Sequence, residues 1–478
     1  MTSVQTLPLE ILSVIFRFAL SQPPPRPRTV ELLAHQRARI HILVTFSLVC
    51  KEWRSTVLGD GTLWTALPVD TSRTDCHQST TAVLERSKEA MLDVSIICDD
   101  EDDSPNEPLF SEISKNMDRI KSLHFDTTSP GTLHNFYAPA PRLEALRIVV
   151  AERPTELGFL FGGELPALRS LALTGLPSWP LGFFSNLKDL CLVLPSSHPI
   201  VRVSSLLDIM SRSPNIERIR ISAFLSMVDD SPPSSLVHLP NLQKLTMRDC
   251  DSATVLSHTI IPATADIKVV TNHRTMSATM HIPSRSLHIL CSVPEDVFTT
   301  GLITKTTTLV VQQDHKVGFG LGFYQSRNSQ PSLRILDRST SVDLFGRRSI
   351  EALASCSHRL GNIREIILVL SAGIAVSWST LLRGFKHLEQ LSTTAPHASP
   401  VLSTLMVIGE DGHPICPALR QLNIYERGGN CSVVLDRDYM VQFFVARKVL
   451  DCAVAAVVIR GPRGKVVWES GFSVEVCA

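Results

Sequence analysis

The hexapeptide LEALRI, Leu143–Ile148, contains a pattern that returns along most of this 478-residue chain. Apolar residues occupy its first, fourth and sixth positions, so its second half alternates apolar and polar residues as a half-buried strand does. Copies begin at Ile120, Leu143, Leu168, Leu187, Ile216, Leu242, Ile363 and Leu419, and less regular copies begin at Leu333 and Leu388. The alternation predicts one β-strand for each copy.

The spacing of these copies indicates a repeat architecture. Consecutive copies within residues 120–247 and 333–424 start 19 to 31 residues apart, and a proline often stands two residues before the first apolar position. A unit with this period resembles a leucine-rich repeat, in which each unit buries its apolar face against its neighbours. The resemblance implies a curved array of stacked strands that binds a partner on its concave face.

The segments between the copies favour helices. Apolar residues follow helical spacing in residues 203–214 and 378–387. Strands that alternate with helices favour a mostly parallel sheet. The predicted fold class is therefore α/β, with a small helical N-terminal domain followed by an irregular leucine-rich-repeat-like solenoid. A helix over residues 438–451 and a buried strand over 452–461 are predicted to close the array.

Residues 251–330 fit the repeat poorly, and the array is expected to be irregular there. Their strand-like pieces are residues 286–290 and 306–312. The stretch VGFGLGF, Val317–Phe323, has three glycines but lacks the spacing of a dinucleotide-binding fingerprint and the helix that follows it. We therefore predict a turn at this position.

The N-terminal residues predict two apolar helices joined by a loop. Apolar residues recur at steps of three and four from Leu9 to Leu20, which predicts a helix over residues 8–20. Ile11, Val14 and Phe18 make its other faces apolar as well, so a partner chain or a large domain must cover it. Three consecutive prolines indicate a loop, placed at residues 21–39 with its basic stretch, and a second helix is predicted over residues 40–57.

The stretch LPLEILSVIF, Leu7–Phe16, followed by SLVCKEWRSTVLGDGTLW, Ser47–Trp64, resembles an F-box. The matching residues are Leu7, Pro8, Glu10, Ile11, Ile15, Val49, Cys50, Trp53, Arg54, Leu63 and Trp64. The resemblance covers residues 1–67, and the proline-rich insertion at 21–39 is similar to inserts in F-box proteins of mushroom-forming fungi. Residues 68–478 form the repeat-like array.

The F-box resemblance implies binding to a Skp-type adaptor and, through it, to an SCF-type cullin–RING ubiquitin ligase. The residues implied to contact the adaptor are Leu7, Pro8, Ile11, Ile15, Val49, Cys50, Trp53, Leu63 and Trp64. Trp53 and Trp64 are expected to be anchors, because buried aromatic side chains dominate many interfaces. The alternative is that both tryptophans belong to the protein's own core.

A substrate receptor needs no catalytic residue, because it acts by raising the effective concentration of its target. The array is expected to hold a target protein through outward-pointing positions of the strand units. Those positions include Arg147, Arg169, Lys188, Arg218, Arg220, Lys244 and Arg420. The alternatives are a protein-binding scaffold with a degenerate F-box and no ubiquitin role, and a hydrolase or transferase with a site in residues 251–330.

Composition argues against several other classes. The formal net charge is zero and 44% of residues are hydrophobic, so we expect a sizeable core and no nucleic-acid partner. Eleven cysteines without a C-x-x-C pair indicate reduced thiols in an intracellular protein, cytoplasmic or nuclear. Residues 366–382 are apolar but short for a membrane span and contain several hydroxyl side chains, so no membrane segment is predicted. No catalytic, cofactor or metal motif was found, so no enzyme activity, cofactor or metal is expected.

Overall fold

The computed structural model describes residues 7–21, 29–98, 106–128, 130–150, 160–163, 165–175, 184–193, 201–222, 225–226, 236–248, 252–262, 264–272, 306–314, 318–325, 331–338, 350–351, 353–355, 357–370, 376–409, 411–426, 436–461, 464–469 and 474–477. The chain divides into two compact units. The first contains Met1–Val201 and Asp208–Ile216, and the second contains Arg202–Leu207 and Glu217–Ala478.

Helices and strands alternate along most of the described chain. Helices occupy Leu9–Leu20 (α1), Thr29–Ser47 (α2), Lys51–Gly59 (α3), Cys76–Ser87 (α4), Glu107–Ser114 (α5), Val203–Arg212 (α6), Ser252–Ser257 (α7), Trp378–Arg383 (α8), Ala398–Leu405 (α9) and Arg437–Val449 (α10). Strands occupy Ala66–Asp70 (β1), Leu92–Cys98 (β2), Ile120–Thr127 (β3), Ala145–Val150 (β4), Ser170–Thr174 (β5), Asp189–Val193 (β6), Val201–Arg202 (β7), Arg218–Ser222 (β8), Leu225–Ser226 (β9), Val237–His238 (β10), Lys244–Arg248 (β11), Thr259–Ile260 (β12), Asp266–Asn272 (β13), Thr308–Asp314 (β14), Gly318–Tyr324 (β15), Pro331–Arg338 (β16), Glu365–Val369 (β17), Gln390–Thr394 (β18), Gln421–Tyr425 (β19), Ala456–Gly461 (β20), Gly464–Glu469 (β21) and Val474–Cys477 (β22).

In the first unit, strands β1 to β6 pair in chain order, and every pair is parallel. The repeated hexapeptides lie in matching register, so that Leu146 of β4 stands between Leu123 of β3 and Leu171 of β5. These leucines are buried, and burying such a side chain contributes about 1.5–3 kcal/mol. The repeat therefore places apolar side chains of neighbouring strands side by side in one buried row across the sheet.

In the second unit, the strands pair in the order β8, β11, β13, β16, β15, β14, β17, β18, β19, β20, β21 and β22. The pairs are parallel except where β15, β21 and β22 take part. The mostly parallel strand pairs of both units and the N-terminal helices confirm the predicted α/β class with a mostly parallel sheet. The final antiparallel strands β21 and β22 were not expected from the sequence.

All the predicted repeat units coincide with strands, from β3 at Ile120 to β19 at Gln421. The first apolar residue of most units lies in the turn before its strand and is buried, as Leu143 and Leu419 illustrate. Of the strand-like pieces in the irregular region, residues 306–312 belong to β14, and residues 286–290 lie outside the described residues.

The turn predicted at Val317–Phe323 is wrong, because most of these residues form strand β15. β15 pairs antiparallel with β14 on one side and with β16 on the other. Its sequence alternates glycine with Phe319, Leu321 and Phe323, which is the period of a strand with two different faces. Of these, Leu321 and Phe323 are buried in the core.

The predicted loop at 21–39 is corrected over residues 29–39, and the predicted helix at 40–57 is corrected as well, whereas residues 22–28 lie outside the described residues. Helix α2 already begins at Thr29, and the chain turns at Leu48 and Val49 before α3 begins. Cys50 has an extended backbone (φ −156°, ψ 176°) and forms the N-cap of α3. The basic stretch is helical because it packs on strands: the Gln36 amide donates to the Asp93 carbonyl at 3.0 Å, and Arg37 pairs with Asp70 at 2.5 Å.

A repeated hydrogen-bond arrangement lines the sheet where the strands begin. In the first unit, the main-chain N–H groups of Arg169 and Ser170 both donate to the carbonyl of Glu144, at 2.8 and 3.0 Å. In the second unit, the carbonyls of Thr307, Arg364, Glu389 and Arg420 each accept two such bonds. The residue ahead of each strand is therefore fixed at the same edge of the sheet.

The apolar stretch Ile366–Leu382 is divided between strand β17 and helix α8, with residues 371–375 outside the described part of the chain. Among the described residues, no helix is long and apolar enough to cross a membrane.

Candidate functional site

Helix α1 has apolar residues on two opposite sides. Leu12, Phe16 and Leu20 face the protein and are buried. On the other side, Ile11, Val14, Ile15 and Phe18 follow the i, i+3, i+4, i+7 spacing that places residues on one stripe of a helix. All four are exposed, and Phe18 is 80% exposed. We call these four residues the α1 stripe.

An aromatic cluster fixes the three N-terminal helices against one another. The rings of Phe16 in α1 and Phe46 in α2 stack with centroids 4.7 Å apart. Trp53 of α3 meets both rings edge-on, at 4.9 and 5.5 Å. Such pairs contribute about 0.5–1.5 kcal/mol each beyond their buried area. The α1 stripe is therefore presented by a helix whose other side is held firmly.

The turn after α3 is tied to α1 through Asp60. Its carboxylate accepts hydrogen bonds from the Ser13 hydroxyl, from the Thr62 main chain at 2.9 Å and from the Thr62 hydroxyl at 2.6 Å. Burial by itself raises the pKa of Asp60, but the bonds from Ser13 and Thr62 outweigh it and hold the pKa below its usual value. At the next residue, a Cβ on Gly61 would lie 2.7 Å from the Ser87 carbonyl oxygen, so the close approach requires glycine.

The residues implied to bind an adaptor fall into three groups. Pro8, Ile11, Ile15 and Val49 are exposed. Leu7, Cys50 and Trp53 are half-buried.

Leu63 and Trp64 are the third group, and both are only 2% exposed. In this structure both side chains lie in the protein's own core, which is the alternative that the sequence left open for Trp64. The pattern "LW" could not reveal this, because a buried and an exposed tryptophan look alike in a sequence. The exposed large apolar residues of α1 to α3 and their connections that lie outside the implied set include Leu9, Val14, Phe18, Val30, Val44, Leu48 and Leu58.

The basic residues implied to bind a target occupy two kinds of position. Arg169, Lys188 and Arg420 stand one residue ahead of a strand, in the hydrogen-bonded edge, and not on the sheet surface. Residues of opposite charge pair at this edge in each unit: Lys121 lies 3.6 Å from Glu144 in the first, and Arg364 lies 3.0 Å from Glu389 in the second. Exposed pairs of this kind contribute about 0–1 kcal/mol.

The remaining four basic residues lie within strands. Arg218 and Arg220 in β8 and Lys244 in β11 come together on one side of the second unit, and all three are exposed. Sequence reasoning missed Arg248 and Lys268, which the strand register adds to the same side. Arg147 lies in β4 of the first unit, where it is half-buried beside His124 of β3.

His124 in β3 is a titratable group whose surroundings lower its pKa strongly. Burial and, secondarily, the charge of Arg147 lower the pKa of His124 from 6.5 to about 4. Its buried Nδ1 atom has no hydrogen-bond partner within the described structure. The imidazole therefore stays neutral in the folded protein, and protonation is disfavoured.

This pKa shift predicts a loss of stability in mild acid. Between pH 6.5 and about 4 the unfolded chain binds a proton at His124 that the folded protein does not bind. The free energy of unfolding should then fall by about 2–3 kcal/mol as pH drops through this window. A His124→Leu variant should lose less stability over the same pH range, because leucine binds no proton. Urea denaturation at pH 7 and pH 4 measures both changes, and parallel losses in the two proteins would contradict the prediction.

Within the described part of the chain, no three or more His, Cys, Asp or Glu side chains group in a way that could hold a metal ion. The candidate site residues that the structure describes are exposed apolar positions of α1 and basic positions of the strands. No protein-family model matches the chain, and no curated protein is similar to it.

Proposed function

We propose that this chain is an F-box-type substrate receptor of an SCF cullin–RING ubiquitin ligase. Its N-terminal helices dock a Skp-type adaptor, and its strand array, stacked as a leucine-rich-repeat-like solenoid, holds a target protein. The chain itself performs no catalysis. It places target lysines near a ubiquitin-loaded enzyme, which raises their effective concentration.

The α1 stripe is the observation that carries this proposal. Ile11, Val14, Ile15 and Phe18 are exposed on a helix whose opposite side is buried. A helix that is apolar on both sides is stable in water only when a second surface covers it, and helical partners use this i, i+3, i+4, i+7 spacing. Val49 and Leu48, at the turn between α2 and α3, add further exposed apolar area.

The test is direct binding of the purified full chain to a Skp-type adaptor, measured by calorimetry. An Ile15→Ala/Phe18→Ala variant should bind the adaptor about 10- to 100-fold more weakly, because truncating apolar anchor residues removes binding free energy. Each tenfold loss of affinity corresponds to about 1.4 kcal/mol. Its stability should change by less than about 0.5 kcal/mol, since both side chains are exposed.

A Val445→Ala/Val449→Ala variant is the matched control. Both valines are exposed on α10 of the second unit, and Val449 is 79% exposed, nearly the same as Phe18. This control should bind the adaptor like the unaltered chain. If the Ile15→Ala/Phe18→Ala variant binds the adaptor as tightly as the unaltered chain, the docking surface lies elsewhere on the molecule. Failure of the unaltered chain to bind any adaptor would favour the scaffold with a degenerate F-box.

A further inference from the structure

Three parallel strands of the second unit concentrate basic residues on one side. In β8 and β11, Ile219, Ile221, Leu245 and Met247 point to the buried side. Side chains alternate along a strand, so the residues between them share the opposite side. On that side lie Arg218, Arg220, Lys244, Arg248 and, from β13, Lys268. We call these five residues the basic face.

The strand register fixes how close these charges are. Lys244 stands beside Arg218 in one row, while Thr246 stands between Arg220 and Lys268 in the next. Neighbouring strands are about 4.8 Å apart and residues rise about 3.3 Å, so the basic face spans roughly 10 Å by 13 Å. Asp266 is the one acidic residue at the neighbouring outward positions, beside Lys244. The local charge is therefore strongly positive in a chain whose formal net charge is zero.

We propose that the basic face binds an extended acidic segment of a partner protein. Carboxylates at alternate positions of an extended segment are about 7 Å apart, which matches the spacing of Arg218 and Arg220 along β8. Positive rows facing negative rows steer association and fix the register of the bound segment. That this partner is the ubiquitylation target rests on the proposed function; the binding itself does not.

The composition of the basic face favours a protein over a nucleic acid. Proteins that bind single strands interleave basic residues with aromatic side chains on which bases stack. Here the other residues described on this side of β8, β11 and β13 are Ser222, Thr246, Asp266 and the buried Val270, and none of them is aromatic. Hydroxyl side chains between cations suit hydrogen bonding to a carboxylate-rich peptide.

The test uses a fluorescein-labelled octapeptide of alternating Asp and Thr, with an Asn and Thr octapeptide as the neutral control. Anisotropy titration with the full chain should show that the acidic peptide binds and the neutral peptide does not. The affinity for the acidic peptide should fall as the salt concentration increases. An Arg220→Glu/Lys244→Glu variant should bind at least about tenfold more weakly, because like charges then face each other. The milder Arg220→Gln/Lys244→Gln variant should show a smaller loss in the same direction.

A Lys386→Glu/Lys448→Glu variant makes the same change in net charge at exposed positions away from the basic face and should bind the peptide normally. Absent peptide binding, or equal losses in the two charge-reversed variants, would overturn the inference. Tighter binding of a ten-residue oligothymidylate, lost in the Arg220→Glu/Lys244→Glu variant, would assign the surface to nucleic acid instead.

The adaptor titration on the same preparations separates the two proposals. A chain that binds the adaptor but not the acidic peptide overturns this inference alone. A chain that binds the peptide but not the adaptor overturns the proposed function alone.

Discussion

Replacing Arg447 with alanine is expected to lower the free energy of unfolding by about 3–5 kcal/mol. Arg447 lies in α10 and has no exposed surface. Its guanidinium donates to the main-chain carbonyls of Leu405, Ile415, Cys416 and Cys452 at 2.8–3.2 Å. Alanine would leave four buried carbonyl oxygens without these donors and would open a cavity, and each effect is destabilising.

The geometry explains why an arginine, and not a lysine, is needed at this position. Burial lowers the pKa of the Arg447 guanidinium, which means that the fold disfavours the charge unless its donors are satisfied. The planar fork reaches carbonyls from three separate stretches of chain at once, whereas a lysine presents its three donors from a single nitrogen atom. Arg447→Lys should therefore keep the charge but still cost about 2 kcal/mol.

Urea denaturation followed by circular dichroism measures these changes, and Arg420→Ala is the matched control. Arg420 is exposed ahead of β19, so its loss should cost less than about 0.5 kcal/mol. A cost below about 1 kcal/mol for Arg447→Ala would show that the four carbonyls find other donors or water.

The strands were predictable because their apolar spacing is a local property of the chain. A leucine two residues after Leu171 must point to the same side of β5, whatever lies next to it. The helical segments α6 and α10 were predictable for the same reason. Strand β15 was not predicted, because its three glycines favour a turn more than the alternation of Phe319, Leu321 and Phe323 favours a strand. It forms nevertheless, because pairing with strands on both sides outweighs the low strand propensity of glycine.

The binding surfaces were less predictable because they depend on which residues become neighbours. Arg218, Arg220 and Lys244 were picked out one strand at a time, but their grouping with Lys268 depends on the pairing of β11 with β13. Arg420 is also an arginine of a repeat unit, but it lies one residue ahead of its strand, at the edge of the sheet. A difference of one or two positions within the repeat unit is enough to change where a side chain lies in the sheet. The α1 stripe was indicated by the sequence, because a helix that is apolar on every side must be buried against more than one surface.

Replacing Trp64 with alanine is expected to lower the free energy of unfolding by about 3–5 kcal/mol, the usual cost of removing a buried tryptophan. Its indole N–H donates to the carbonyl of Val57 at 2.8 Å, and so satisfies one of the free carbonyls at the end of α3. The guanidinium of Arg86, in α4, lies 4.7 Å above the ring. Trp64 therefore joins the N-terminal helices to the first helix after β1.

Trp64→Phe separates the packing of this residue from its hydrogen bond. Phenylalanine keeps most of the apolar bulk but leaves the Val57 carbonyl without its donor, so we expect a cost of about 1–2 kcal/mol. Urea denaturation gives the stability of both variants. If Trp64 acts only inside the protein, folded Trp64→Phe should bind a Skp-type adaptor normally, whereas Ile15→Ala/Phe18→Ala should lose binding without losing stability. Reduced adaptor affinity in a fully folded Trp64→Phe variant would instead mean that α3 rearranges on binding and exposes this tryptophan.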